Sequence, residues 1–273
     1  MQKIFLFVLA VVMLLPNFFH KDILPIFSFD KKEKFSPNLG YINSVNKLEA
    51  HTDSLAIKKN TRSDSYEYAA LLESVVEERF YHGFSHFALN ENWIAAVCGK
   101  ILNEGHGCKV KAEDILQHSY AACSQQSIVI MAVLRDKKIN YRNIGFPHHY
   151  ALEIEDKQQW YFIDADMEPV ITKEQRMQKS WNHQNDQLKK YYDTNRFNDL
   201  DYKFGKGVLA TNGPLNEIPA ANARLFHAVT SILSKTLWII PFFLLFFRPQ
   251  FSFSSRFSFQ LKRRSAPSVS LAV

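Results

Sequence analysis

The chain is expected to fold as an α+β protein, and three features of the sequence predict it. Apolar residues recur at helical intervals from Tyr68 to Phe80 and again from Trp93 to Ile101. Three short runs of strand character, Asn140 to Phe146, Tyr150 to Glu155 and Trp160 to Asp164, follow later. Between the two groups lies Ser124 to Leu134, whose IVIMAVL run is apolar on every side.

In chain order, residues 1–20 join an early Lys3 to a long apolar run, the layout of a secretory signal or an N-terminal membrane anchor. No small-residue cleavage site follows, and Asn17, Phe18, Phe19 and His20 stand where a peptidase wants small side chains, so an uncleaved anchor is the preferred expectation. Residues 21–63 carry lysine clusters, Pro25 and Pro37 and read as a stalk or loosely packed extension. A domain is expected over 64–215. Ser65 caps its first helix, in which Tyr68, Leu71, Leu72, Val75, Val76 and Phe80 recur at helical intervals with Glu73, Glu77 and Glu78 between them. The helix around Trp93 stops at Gly105 and Gly107, and Ala112 to Gln117 starts the next element.

Periodicity leaves Ser124 to Leu134 open between a buried strand and a helix. The strands Tyr150 to Glu155 and Trp160 to Asp164 are joined by the polar turn Asp156 to Gln159, so their antiparallel pairing brings His149 near Asp164. Lys173 to Tyr192 reads as a polar helix, a lid or a peripheral cover; a loop with Asn195, Asn198 and Gly205 and the turn Asn212-Gly213-Pro214 follow. Residues 216–247 form a membrane-proximal segment and a candidate transmembrane helix. The run Thr236 to Phe247 is short of the roughly 20 residues a span needs, and reaches that length only when counted back to Ala228 across Lys235. Residues 248–273 are a basic tail, expected on the cytoplasmic side with Lys3, which puts the domain outside the cytoplasm.

The net charge of +6 belongs to that tail: Arg248, Arg256, Lys262, Arg263 and Arg264 account for five, and taking five from +6 leaves +1. The domain therefore has no basic excess that would argue for nucleic-acid binding. Of three cysteines, Cys98 and Cys108 are close enough in sequence to close a short loop, or are separately packed as small hydrophobes. Either way Cys123 is the odd thiol.

A thiol attacks as thiolate, so a catalytic cysteine needs an imidazole and a helix N-terminus beside it, and the imidazole needs a carboxylate to fix its tautomer. Cys123, His149 and Asp164 occur in that order. Leu116 precedes Cys123; Val133, Leu134, Arg135, Ile139 and Arg142 follow it; His149 and Glu153 stand four apart, as do Trp160 and Asp164. These sub-motifs, in this order and spacing, resemble the transglutaminase-like superfamily. The resemblance implies a papain-like core, with the nucleophile at the N-terminus of a central helix packed on an antiparallel sheet, and a Cys123–His149–Asp164 triad. It also selects His149 over His148, expected on the other face, and Asp164 over Asp166, expected beyond reach. Gln117, six residues before Cys123, is the candidate oxyanion donor beside the backbone amide of Cys123.

Ala121, Lys138 and Asn140 replace a glycine, a glycine and a proline of that pattern. The implied function is thioester acyl transfer on an amide or peptide bond of a protein or peptide substrate, with no cofactor. A tethered, catalytically inactive binding domain of the same fold is the other reading those replacements leave open. Among ten histidines no tight Cys/His pattern of a structural zinc site occurs, and His82 with His86 reads as a solvated helix face.

Overall fold

A computed structural model describes residues 1–177, 185–197, 199–207 and 209–246. The basic tail, Phe247, Asn198 and the middle of the stretch expected as a helix from Lys173 lie outside the described residues.

Two of the core helices begin where a serine side chain accepts a backbone N–H group. After the apolar α1 (Gln2–Leu14), Ser44 accepts from Lys47 N and starts α2 (Val45–Lys58), and Ser65 accepts from Tyr68 N and starts α3 (Tyr66–Arg79). Then come α4 (Leu89–Ile101), the short α5 (Ala112–Ile115) and α6 (Cys123–Asp136). The run that periodicity left open is thus a helix. It is apolar all round because it is covered all round, by α2, α3 and α5 and by the first two strands of the sheet.

Strands β1 (Asn140–Gly145), β2 (Tyr150–Asp156) and β3 (Gln159–Ile163) are antiparallel neighbours within one or two residues of the expected bounds. Lys157 and Gln158 join β2 to β3 with φ of 50° and 63°, the sign that a two-residue hairpin turn requires at both central positions. Beyond them lie α7 (Lys173–Arg176), α8 (Asn185–Leu188) and α9 (Leu200–Phe204). A two-residue β4 (Thr211–Asn212) pairs with β1, giving sheet order β3-β2-β1-β4, and α10 (Ala221–Thr236) and α11 (Ile239–Phe246) close the described chain.

One face of the sheet packs on α6: Tyr141, Leu152 and Ile154 join Val129, Val133 and Leu134 in the main core. The other face carries a smaller core of Ile144, Ala151 and Phe162 under Leu188, Tyr192 and Phe204. The segment expected as a lid is therefore a second layer on the sheet.

One expectation changes, and the open choice between a bridge and separately packed cysteines is decided. Residues 21–63 are not a loose stalk, since Ile42, Val45, Leu48 and Ala56 belong to the main core. Their helical spacing was diluted by outward-facing Lys47, Lys58 and Lys59, which is why composition suggested a linker. The residues before them are strapped across the domain, with Ser36 N donating to Glu78 O and the Phe35 ring edge-on to Tyr81. Glu73 and Glu77 of α3 are buried, because they face charged partners inside the fold. Finally, Cys98 and Cys108 are not bridged. Cys108 donates to Glu104 O, and burial pushes its thiol up to about 12.

Lys138 sits just past the end of α6 with φ of 58°, and Ile139 N returns to Leu134 O at 3.0 Å, as in a helix terminus that favours glycine. The position thus keeps a glycine's conformation with a lysine side chain. Lys138→Gly is expected to stabilise the fold by up to about 1 kcal/mol, net of the extra freedom gained when unfolded. Denaturant unfolding measures it, and a loss of stability would contradict the strain.

Candidate active site

Cys123 is the first residue of α6, with Ala122 as its non-helical cap. Cys123 thus stands at the positive end of the helix dipole. Gln125 locks that turn. Its Oε1 accepts from Ala122 N and Ser85 N, and its Nε2 donates to Ser85 O and Lys109 O, pinning the helix start to two neighbouring segments.

His149 precedes β2, and Phe146 N donates to its carbonyl, so the turn between β1 and β2 is closed by the histidine's own backbone. Its ring packs against both Phe146 and Phe204, at 6.1 and 5.2 Å between centroids. Nε2 meets Asp164 Oδ2 at 2.7 Å, and the Cys123 sulfur lies within 4.8 Å of a ring nitrogen. With Nε2 committed to Asp164, Nδ1 is the nitrogen left for the sulfur. Burial alone would push this imidazole down; the Asp164 carboxylate with its hydrogen bond, and the nearby Cys123 sulfur, outweigh it and carry it up to about 10.

Asp164 follows β3. Its Oδ2 also accepts from Tyr192 Oη at 2.6 Å, and its Oδ1 accepts from Met167 N. Its own N–H donates to Glu73 Oε1, which pairs with Arg176 at 3.0 Å, and Arg176 donates as well to Phe162 O. Burial raises Glu73, with Arg176 opposing; Glu77 is pushed up to about 8 by burial and by the charge of Glu73.

The structure thus brings Cys123, His149 and Asp164 together, and leaves Gln117 out. The Gln117 amide donates to Asn43 O and Glu113 O, and the side chain lines a cavity with Phe87, Glu91 and Lys109. The six-residue offset fails because α5 ends at Ile115, so Gln117 turns toward α2 and not toward the sulfur. His148 is exposed and stacks on Tyr202 at 3.8 Å.

Asp166 is not beyond reach. The chain turns immediately after β3, so the alternation of a strand no longer applies, and the Asp166 carboxylate comes within 4.8 Å of both the sulfur and a His149 ring nitrogen. Its Oδ1 accepts from Gln126 Nε2 at 3.0 Å and pairs with His82 Nδ1 at 2.8 Å. Burial would raise this carboxyl, but His82 overrides it and holds it below the usual range; His82 is raised in return. His82 and His86 therefore do not share a solvated helix face. They lie in an extended stretch that bridges to Tyr120 and Cys108, and His86 is buried against Glu104. Cys123, His149 and Asp166 form a sulfur, nitrogen and oxygen donor set of a kind that a zinc ion accepts, and an ion held there would cover the sulfur.

The remaining residues of the spaced sub-motifs serve the scaffold. Arg142 and Glu153 are direct partners across β1 and β2 and pair at 2.6 Å, with the guanidinium 4.2 Å from the Trp160 ring centroid. Glu73, Gln126, Asp166, Arg176 and Tyr192 were not anticipated. Gln126 alone carried a signal, lying one helical turn after Cys123; Arg176 and Tyr192 sit in a polar stretch with no motif.

Because the folded imidazole of His149 titrates near 10 and an unfolded one near 6.5, the folded state holds the proton more tightly. That stabilisation is complete below pH 6.5 and is lost as pH rises through about 10. Thermal unfolding across that window should fall more steeply for the native chain than for Asp164→Asn, which lacks the main cause of the shift. Parallel curves would remove the charged pair from the account.

No protein-family model matches the chain, and no curated protein and no solved structure matches it. What is known of the site is its geometry.

Proposed function

We propose that this protein is a cysteine acyl-transfer enzyme with a transglutaminase-like, papain-like core, tethered to a membrane and acting outside the cytoplasm on an amide or peptide bond. The observation that carries it is a Cys123 thiol at a helix N-terminus within 4.8 Å of a buried imidazole that is itself bonded to a buried carboxylate at 2.7 Å. A core histidine needs one partner; this one has a bonded carboxylate and a thiol close by.

In the proposed reaction the Cys123 sulfur attacks the carbonyl carbon, and the oxyanion is met by the backbone N–H of Cys123 at the start of α6. An imidazole held cationic beside a sulfur favours the thiolate, and it is then the acid for the next step. The carbon–nitrogen bond breaks as His149 delivers its proton to the leaving amine, and a thioester remains. Water or a second amine attacks that thioester with His149 taking the proton, and the sulfur leaves. The products are an acid or a new amide, and the thiol is restored. Asp164 holds the ring, while Tyr192 and Met167 N hold Asp164.

With peptide amides as substrate and water or hydroxylamine as acceptor, Cys123→Ala and His149→Ala should each lower turnover at least ~10³-fold. Asp164→Asn should cost roughly 10³- to 10⁴-fold and His148→Ala little. Mass spectrometry after brief iodoacetamide treatment near neutral pH should find Cys123 alkylated ahead of Cys108. Turnover unchanged in Cys123→Ala would end the enzyme reading, and slow alkylation of Cys123 with no turnover would favour the inactive binding domain.

A further inference from the structure

The two ends of the described chain meet. α1 packs along α11, and Asn17 Nδ2, just past α1, donates to Ser234 O near the end of α10. From that junction α1 runs back toward Met1 and α11 runs on toward Phe246, so the two helices are antiparallel and point away from the domain together. Ala10 is the buried residue of α1 and Pro241 that of α11. The rest of both surfaces is apolar and open: Phe5 is 65%, Val12 56%, Phe243 53% and Phe246 71% exposed.

At the junction the surface changes character. His20 Nδ1 meets Asn90 Oδ1, Lys235 Nζ donates to Asn90 O, Trp93 Nε1 donates to Ser234 O, and Trp238 Nε1 donates to Lys235 O. Asn92, in non-helical conformation inside α4, donates to Thr230 Oγ1 and Ser231 Oγ of α10. Residues 221–246 are long and apolar enough to cross a membrane by length and composition, yet His227, Thr230 and Ser234, all in α10, are buried. α10 packs on α4 of the domain, whereas α11 lies along α1.

We infer that α1 and α11 form one membrane anchor, inserted together into the lipid bilayer as an antiparallel pair, with the N-terminal segment retained in the working protein. A soluble partner would need to cover apolar residues on nearly every side of both helices, which a bilayer does without a fitted surface. Charge agrees with lipid: Lys3 lies at the far end of α1, and the sequence after Phe246 carries five basic residues and no acidic one. Tryptophan, histidine and lysine collect at the junction, where a headgroup layer suits them. α1 is about 20 Å long against a hydrocarbon core of about 30 Å, so the pair sinks deep into the bilayer. The inference rests on the tethered reading above and not on the chemistry of Cys123.

The test uses the full chain without an N-terminal tag, recovered from membranes after alkaline carbonate washing. Intact-mass measurement should find the N-terminal segment present. Oxidation of cysteine pairs, one placed within 7–11 and one within 239–243, should give bridges inside one chain for inward positions such as Ala10→Cys. Phe5→Cys with Phe243→Cys should give none. A chain beginning near residue 20 would overturn the joint anchor while leaving α11 as a tether. Bridges between two chains would overturn it in favour of a dimer, and release of the chain by carbonate would remove the tether itself.

Discussion

The Asp164 carboxylate is the charge around which this protein is arranged. It is buried, and a buried carboxylate is tolerated only when its oxygens are bonded and its charge is met. His149, Tyr192 and Met167 N do the first, and the imidazolium does the second. The requirement then spreads outward. Glu73 takes the Asp164 N–H and needs Arg176; Glu77 lies one turn along and needs Lys34, which comes from the strap before α2. A second line runs from Asp166 to His82 and Gln126. The strap, α3, α7 and the segment around Tyr192 are thereby recruited to one set of desolvated charges. Apart from α3, these are parts of the chain with little hydrophobic patterning, so polar contacts fix what packing does not.

What could be read from the sequence followed from local rules. Period-two runs and a polar turn gave β1 to β3 within a residue or two, and Ser65 gave the start of α3. Cys123, His149 and Asp164 were found because each lies at a fixed offset from scaffold residues. The pairing of Arg142 with Glu153 and the stacking on Trp160 explain why such offsets are constrained. The α6 run stayed open because a fully covered helix has no face to read, and only its surroundings decide it.

The misses were of another kind. Asp166 was set aside by extending a strand's alternation past its last residue, where the chain had already turned. Gln117 was retained by an offset that ignores the end of α5. Glu73 and Glu77 lie between the apolar positions of α3 with no local sign of burial, yet Glu73 is 2% exposed. Tyr192 and Arg176 reach the site across the sheet from a segment with no periodicity, and no local signal could have marked them.

Helix α6 has no free side. α2, α3, α5, β1 and β2 enclose it, and Gln125 ties its first turn to the segments at Ser85 and Lys109. The Cys123 sulfur is therefore held by the interior of the molecule, as a tool is held in a vice. The rim of the site is built differently, from the extended stretch at His82, the turn at Phe146 to His148 and the segments around Tyr192 and Phe204. Outward-facing residues there, such as His148, can change without moving the sulfur. In the proposed enzyme such a division separates the reaction from the choice of what is reacted upon. Descendants of this fold could diverge in diet while sharing the same jaw.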